Sequence, residues 1–343
     1  MRNKATSFDI AYHAGVSQST VSRALSGSPL VSEETRQRIQ AIAKELNYKV
    51  DKNASNLRTQ SSHTIALLLF EDATVDDSNI NPFYLSMLGS ITKACADAGY
   101  DLLVSFQQMN DDWHAEYEDC HKADGLILLG YGDYLAYEKK LSQLIEQETH
   151  FVLWGAGDKD IDAISVRCDN KQGGLAITEH LIKQGRKNIA FVGEASDATP
   201  ELLERYQGYC QALKDANIAI DKTLHVDAQI TELSGYEATL KLLSQSKPVD
   251  AIFTACDLMA IGAMRAISDK GLKVGDDIAV VGYDDISVAQ FTNPPLTTVR
   301  QDTTIAGQLL VKNLVGLIKG NEVSGSIIEP VTIVRSSCGT NAN

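Results

Sequence analysis

From His63 onward the chain alternates two textures. Short runs that are apolar almost throughout, HTIALLLF, YDLLVSF, GLILLG, HFVLWG and AISVRC, are separated by stretches with a helical apolar period, among them FYLSMLGSITKACADAG and YLAYEKKLSQLIEQ. A second series follows in NIAFVGE, TLHVDAQ, AIFTAC and DIAVVGYDD, each with a helical stretch beside it. Strands apolar on both faces are what a parallel sheet covered by helices on each side requires. The alternation predicts two doubly wound α/β units of similar size. Ligands of such units bind beyond the carboxyl ends of the strands, so two facing units make a cleft.

Before His63 the pattern is helical only. SFDIAYHA places Ile10 and Ala11 on one face, and Gly15 supplies the positive φ that reverses the chain. Ser17 then caps a second helix, in which Val21 and Leu25 point back at Ile10 and Val16 and leave Gln18, Ser19, Ser22 and Arg23 outside. A third helix, VSEETRQRIQAIAKELNY, has Ser32 as its cap, Glu33 and Glu34 at its positive end, and Ile39, Ile42, Ala43 and Leu46 at core spacing. A purely supporting helix would favour Leu, Glu, Lys and Ala over Ser and Thr, which compete for backbone hydrogen bonds. Short hydroxyls and one arginine on an exposed face suit base edges and phosphates, and the whole reads as a helix-turn-helix.

Charge separates the same two regions. Residues 1–60 hold nine Lys or Arg against five Asp or Glu, and residues 61–343 hold 22 against 40, net −18. A basic head on an acidic body confines attraction for polyanions to one small module. The 343 residues, 44% hydrophobic, have room for two or three domains. MRNKATSFDI lacks the apolar region of a secretory signal, and no apolar run approaches a membrane span. Six scattered cysteines with no CxxC fit reduced thiols in the cytoplasm. Seven histidines (13, 63, 114, 121, 150, 180, 225) have no metal spacing, and no cofactor is expected. The chain also lacks a G-x-G-x-x-G after a strand, a P-loop and a G-x-S-x-G, which argues against an enzyme. The pair Asp284-Asp285 could pass for a catalytic dyad, but neighbours on an extended strand face opposite ways.

The strand ends carry aromatic rings and acids: Glu71 and Asp72 with Phe83 and Tyr84 beyond them, Tyr131, Trp154, and Tyr283-Asp284-Asp285. Rings stack on the C–H faces of a sugar and carboxylates accept from its hydroxyls. The shared location marks Phe83, Trp154 and Asp284 as ligand contacts, although each ring alone is more simply explained by packing.

These segments resemble the LacI/GalR family of bacterial transcription regulators over essentially the whole chain. The likeness is carried by AGVSQSTVSRALSG, VSEETRQRI, ELNYKVDKNASNLRT and the NPFY loop, then by CDLMAIGAM, DIAVVGYDD, FTNPPLTTVRQD and PVTIVRSSC. It implies a three-helix DNA-binding head over 1–50, a hinge over 51–61 that becomes helical on operator DNA, and a periplasmic-binding-protein-like core over 62–343. In that core the N-subdomain is expected at about 62–163 and 294–325, and the C-subdomain at about 164–293 and 326–343.

By the same resemblance Gln18 and Ser19 read the major groove and Arg23 reaches a base or phosphate, while Ser17, Thr20, Ser22, Ser32 and Thr35 anchor the backbone. Ala54 and Leu57 contact DNA from the hinge, Leu57 as a minor-groove wedge. If Arg36 touches only phosphate, Arg36→Ala should weaken binding to all sequences alike. Effector contacts are implied at Arg205 and Asp284, with Trp154 and Asp169 at positions that some members use. Cys256 and Ile230 depart from the amide and the aromatic platform common in sugar-binding members. The implied function is a repressor of carbohydrate genes: a homodimer on palindromic double-stranded DNA, controlled by a sugar. The alternatives are a purine- or nucleoside-responsive regulator and, from another class, a non-regulatory sugar-binding protein. No terminal heptads for a tetramerising tail are present.

Overall fold

The chain divides into two units, Met1–Ser62 and His63–Asn343, and the described residues of the first form three helices. The computed structural model describes residues 5–48, 61–70, 80–107, 111–130, 134–155 and 163–339. Helix α1 (Ser7–Ala14) opens on a reciprocal cap, the Thr6 hydroxyl accepting from the Asp9 amide while the Asp9 carboxylate accepts from the Thr6 amide at 2.8 Å. It closes on Gly15 at φ 62. Ser17 caps α2 (Gln18–Leu25) and Ser32 caps α3 (Glu33–Glu45), each hydroxyl accepting from the amide three residues on. Ile10, Val21, Ala24, Ile39 and Ala43 are buried together. So small a core leaves the caps, at about 1 kcal/mol each, a large share of the stability.

The second unit contains two parallel sheets. The larger has six strands in the order β11-β5-β4-β3-β1-β2. These are β1 (Thr64–Phe70), β2 (Asp101–Gln107), β3 (Leu126–Leu129), β4 (Phe151–Trp154), β5 (Ser165–Cys168) and β11 (Ser326–Ile328). The smaller runs β7-β6-β8-β9, from β6 (Ile189–Val192), β7 (His225–Val226), β8 (Ala251–Thr254) and β9 (Ala279–Val281). Helices α4 (Pro82–Ala98), α5 (Tyr134–Glu146) and α10 (Thr303–Ile318) accompany the first sheet. Helices α6 (Asn170–Lys183), α7 (Pro200–Asp215), α8 (Glu232–Leu243) and α9 (Asp257–Asp269) accompany the second. A short antiparallel pair, β10 (Thr298–Arg300) with β12 (Val331–Ile333), completes the unit.

Central strands such as β3 and β4 are buried at every residue. Strand β2 is not, because it is the sheet edge: Val104 and Phe106 are exposed, and its apolar run does not mean cover on both faces.

The subdomain limits also differ from the expectation. Strand β5 bonds to β4 and β11 to β5, so residues 165–168 and 326–328 belong to the first sheet. Residues 297–300 stay with the second, where Gly282 and Asp284 donate to the carbonyls of Thr297 and Val299. The crossings therefore follow Cys168, Arg300 and Ile328 rather than 163, 293 and 325. Sheet membership is decided by backbone pairing, to which the apolar pattern is blind.

Helices α6 and α7 cross at a glycine pair. A Cβ on Gly174 would stand 2.2 Å from the Arg205 carbonyl oxygen, and one on Gly208 2.1 Å from that of Lys171. Only glycine lets the backbones approach this closely. The crossing sets the depth at which Arg205 enters the space between the sheets.

Candidate functional site

In the head, α2 carries the predicted reading side chains, Gln18 and Ser19 in its first turn and Arg23 in its last. Gln18, Ser19 and Arg23 are exposed, and Thr20 and Ser22 are half-buried. The Ser17 hydroxyl lies 2.8 Å from that of Ser19 and 2.9 Å from that of Thr20, and Gln18 donates to Ser7 on α1 at 2.9 Å. On α3, the Ser32 hydroxyl donates to Thr35 at 2.9 Å. These are exposed bonds between small groups that a polar partner can replace.

Arg36 is bonded within the head. Its guanidinium donates to the carbonyls of Ser28 at 2.9 Å and Val31 at 3.4 Å and pairs with Glu33 at 2.9 Å. Through its two Nη atoms it ties the α2–α3 turn to α3. Ala54 and Leu57 lie outside the described residues.

In the core, the carboxyl ends of both sheets open on a cleft of about 660 Å3, its mouth included. One wall comes from the larger sheet and α4. Phe83 is buried with its ring 5.9 Å from that of Trp154 and 5.5 Å from that of Tyr84. Asn81 holds the start of α4 by accepting from the Phe83 amide at 2.9 Å. Tyr131 lies outside the described residues.

The other wall is polar and withdrawn from solvent. Arg205 is 5% exposed and Asp284 8%. The Arg205 Nε donates to Asn170 at 2.9 Å and its Nη1 to the Ala255 carbonyl at 2.5 Å, and the guanidinium lies 3.9 Å from the centre of the Tyr283 ring. Nη1 is 3.6 Å from the Asp284 carboxylate, a charge contact rather than a hydrogen bond. Gln301 donates to that same carboxylate oxygen at 2.8 Å. Burial pushes the Asp284 carboxyl up to about 6, with Arg205 and Gln301 pulling the other way. Burial works most strongly against the Arg205 cation, but Asp284 and the smaller contributions of Tyr283, Cys256 and Glu201 together outweigh it and hold the guanidinium above its ordinary value. Both partners rise because the desolvation of Asp284 exceeds what one charge contact at this distance returns.

The backbone at Asp284 has φ 112, a conformation disfavoured for any residue with a Cβ. Asp257, fully buried, braces it: its carboxyl accepts from the Ile286 amide at 2.9 Å and from the Thr298 hydroxyl at 2.5 Å. Asp285, at φ 54, turns away to Arg335 at 2.7 Å. The two neighbouring carboxylates do part company, though not by the alternation of an extended strand. Strand β9 ends at Val281, and left-handed backbone separates them.

Of the expected effector residues, Phe83, Tyr84, Trp154, Arg205 and Asp284 line one cleft, as do Cys256 and Ile230. Asp169 stands outside the lining; its carboxylate caps α6 by accepting from the Gln172 amide at 2.9 Å, and its neighbours Cys168 and Asn170 face the cleft instead. Burial pushes the Cys168 thiol up to about 11 and that of Cys256 further, so neither is a nucleophile. Asn170, Gln301, Thr199 and Glu201 were missed. Asn170 follows Asp169 directly and Gln301 lies within the FTNPPLTTVRQD segment already noted, whereas Thr199 and Glu201 carry no local signal. Among the described residues no group of three or more His, Cys, Asp or Glu is placed to hold a metal, and no helix is long and apolar enough to cross a membrane.

Residues 8–51 match the family described as bacterial regulatory proteins, lacI family, and residues 178–338 match a periplasmic binding protein-like domain. The HTH-type transcriptional repressor PurR of Histophilus somni (strain 129Pt) is 33% identical over 344 residues, covering 98% of this chain and 99% of that protein. The ribose operon repressor of Escherichia coli (strain K12) is 33% identical over 317 residues, covering 91% and 92%. A crystal structure of the lac repressor dimer bound to operator and the anti-inducer ONPF is 26% identical, with a TM-score of 0.84 over 98% of this chain and 99% of that one.

Proposed function

The chain belongs to the lacI family of bacterial regulatory proteins, and from that premise we propose that it is a cytoplasmic, sugar-responsive transcriptional repressor whose effector occupies the cleft of the core. A homodimer places two heads on a palindromic operator, each α2 in a major groove. Gln18, Ser19 and Arg23 meet base edges. Ser17, Thr20, Ser22, Ser32 and Thr35 hold the phosphate backbone through hydroxyls already at the starts of helices, where anions are favoured. Ala54 and Leu57 add hinge contacts, Leu57 by wedging a base step apart.

The observation that carries the effector site is the pairing of an aromatic wall, Phe83 and Trp154, with the buried set Arg205, Asn170, Asp284 and Gln301. A saccharide needs both, and its hydroxyls satisfy buried groups that an apolar ligand would leave unpaired. The walls belong to different sheets, so a ligand touching both binds the closed form better than the open one, as a switch requires. Gln301 stands between β10 and α10, on the second crossing. A hydroxyl that takes over the Asp284 oxygen frees Gln301 and is felt directly at that crossing.

The purine-responsive reading rests on the likeness to PurR; the rings could stack a base, but the carboxylate at the floor suits hydroxyl donors. Selection of DNA from a random pool by the full-length chain, then titration of the recovered site with sugars and a free purine base, tests the proposal. We expect a palindromic site held by a dimer and a change in affinity on adding a sugar. Asp284→Ala should keep the site yet weaken sugar binding by at least about 2 kcal/mol. A monomer on an asymmetric half-site, or an unchanged sugar response in the variant, would overturn it.

A further inference from the structure

Strand β5 and helix α7 belong to different subdomains, yet an ion pair joins them. The Arg167 guanidinium donates through Nη1 to the Glu204 carboxylate at 3.1 Å. Arg167 is fixed in the larger sheet, its backbone opposite Ile327 of β11 and its strand bonded to β4 on the other side. Glu204 is fixed on α7, which the glycine crossing locks to α6. Neither end can leave the other far behind unless the subdomains move, so the pair registers their relative position.

Its place in the fold connects it with the cleft. Arg167 stands one residue before Cys168, where the chain first crosses between the sheets, and Glu204 directly precedes Arg205. At the second crossing Gln301 reaches Asp284, the charge partner of Arg205. The buried pair Arg205 and Asp284 is thus flanked by a side-chain link at each of two crossings. Burial pushes the Glu204 carboxyl up, Arg167 pulls it down, and Glu201 and Asp169 push it up again. A cation of one subdomain therefore faces a carboxylate of the other that is already under pressure from its own neighbours, and the attraction acts across the boundary. The two side chains are 32% and 29% exposed, so water screens the pair and it biases the arrangement rather than locking it. A switch requires a contact of that size, since a link too strong to break would hold the cleft in one state.

We propose that Arg167 and Glu204 form a latch that holds the two walls of the cleft together and sets how readily the cleft opens. They are positioning residues: neither lines the cleft, and the pair acts through α7 and Arg205. The latch concerns the movement of the subdomains and is tested first without any ligand; only its second test rests on the sugar reading above.

Trp154 is buried in the wall of the cleft, whereas the other tryptophan, Trp113, is sealed in a separate core cluster. Acrylamide quenching of tryptophan fluorescence in the full-length, ligand-free chain therefore reads opening. Arg167→Glu, which sets like charges against each other, should raise quenching, and Glu204→Gln should raise it less. The exchanged pair, Arg167→Glu with Glu204→Arg, should return it to the wild-type level, a rescue that a merely structural role would not give. Trp154→Phe should abolish these differences. Added salt should raise quenching in the wild type more than in Glu204→Gln. Glu204→Gln carries the comparison should Arg167→Glu fail to fold. In calorimetry with ribose, glucose and cellobiose, any sugar that the wild type binds should bind Glu204→Gln about two- to fivefold more weakly, with the exchanged pair again restoring it. Wild-type quenching in both single variants, or an exchanged pair no better than Arg167→Glu alone, overturns the latch and leaves the sugar reading standing. Raised quenching that the exchange rescues, with no sugar bound by any form, upholds the latch and removes the sugar reading.

Discussion

The two recognition surfaces of this chain are both built from polar side chains near the starts of helices, yet they stand in opposite relation to water. On α2 the hydroxyls and the Gln18 amide are exposed, joined to one another or to Ser7 by bonds a partner can exchange at little cost. In the cleft, Arg205, Asn170, Asp284 and Gln301 are buried and already bonded among themselves. The difference teaches what each can discriminate. An exposed face gains a little from each contact and needs several, spaced along a groove, to be specific. A buried set is arranged in advance, and a ligand that leaves one member unpaired is strongly penalised.

Substitutions that exploit the contrast should differ in size accordingly. Arg205→Ala leaves the Asp284 carboxyl buried without its counter-charge, so the core should lose about 3–5 kcal/mol, read as a lower urea midpoint of the core transition. A core of unchanged stability would show that the cleft tolerates disruption as the head's surface does. Arg36→Ala removes charge-assisted bonds to two turn carbonyls, and we expect the head to lose about 2 kcal/mol while the core melts as before. Selective loss of DNA affinity with a stable head would return Arg36 to the phosphate contact it first suggested.

Gln18→Ala should relax base preference at one operator position by about 1–3 kcal/mol with no change in the melting of either unit. Ser17→Ala should take about 1 kcal/mol from the head through its lost cap, measurable by thermal unfolding of that unit. The remaining effect is in pH. The Asp284 carboxyl, raised to about 6 in the fold from its ordinary value near 4, holds its proton in the folded state through that interval. Its contribution to core stability is therefore full below about pH 4 and lost as pH rises through 6. Sugar affinity should move the opposite way, growing as the ionised acceptor forms; parallel trends in urea titrations and calorimetry would refute the assignment.

Much of this could be read in advance, and the failures have a pattern. Gly15, Ser17 and Ser32 were assigned their turns and caps correctly because a cap depends on three or four consecutive residues. The partners of Arg36, the Ser28 and Val31 carbonyls, could not be read in advance, because carbonyls have no signature in a sequence. Asp169 was assigned to the cleft by resemblance, whereas its carboxylate follows the local rule for a helix start. Strand β2 read as a buried strand because an apolar run is the same at an edge as in the centre.

The sequence by itself determined the helical head, the alternation of strand and helix, and the local caps, since each follows from periodicity and from chemistry within a turn or two. It also marked Arg205 and Asp284, through resemblance. Tertiary structure alone decided that Asn170, Arg205, Asp284 and Gln301 meet, and that Asp284 and Asp285 diverge through left-handed backbone. These groups are far apart along the chain and are brought together by sheet pairing and a glycine helix crossing. Their ionisation and bonding depend on which neighbours exclude water, a property of packed surroundings that no short stretch of residues contains.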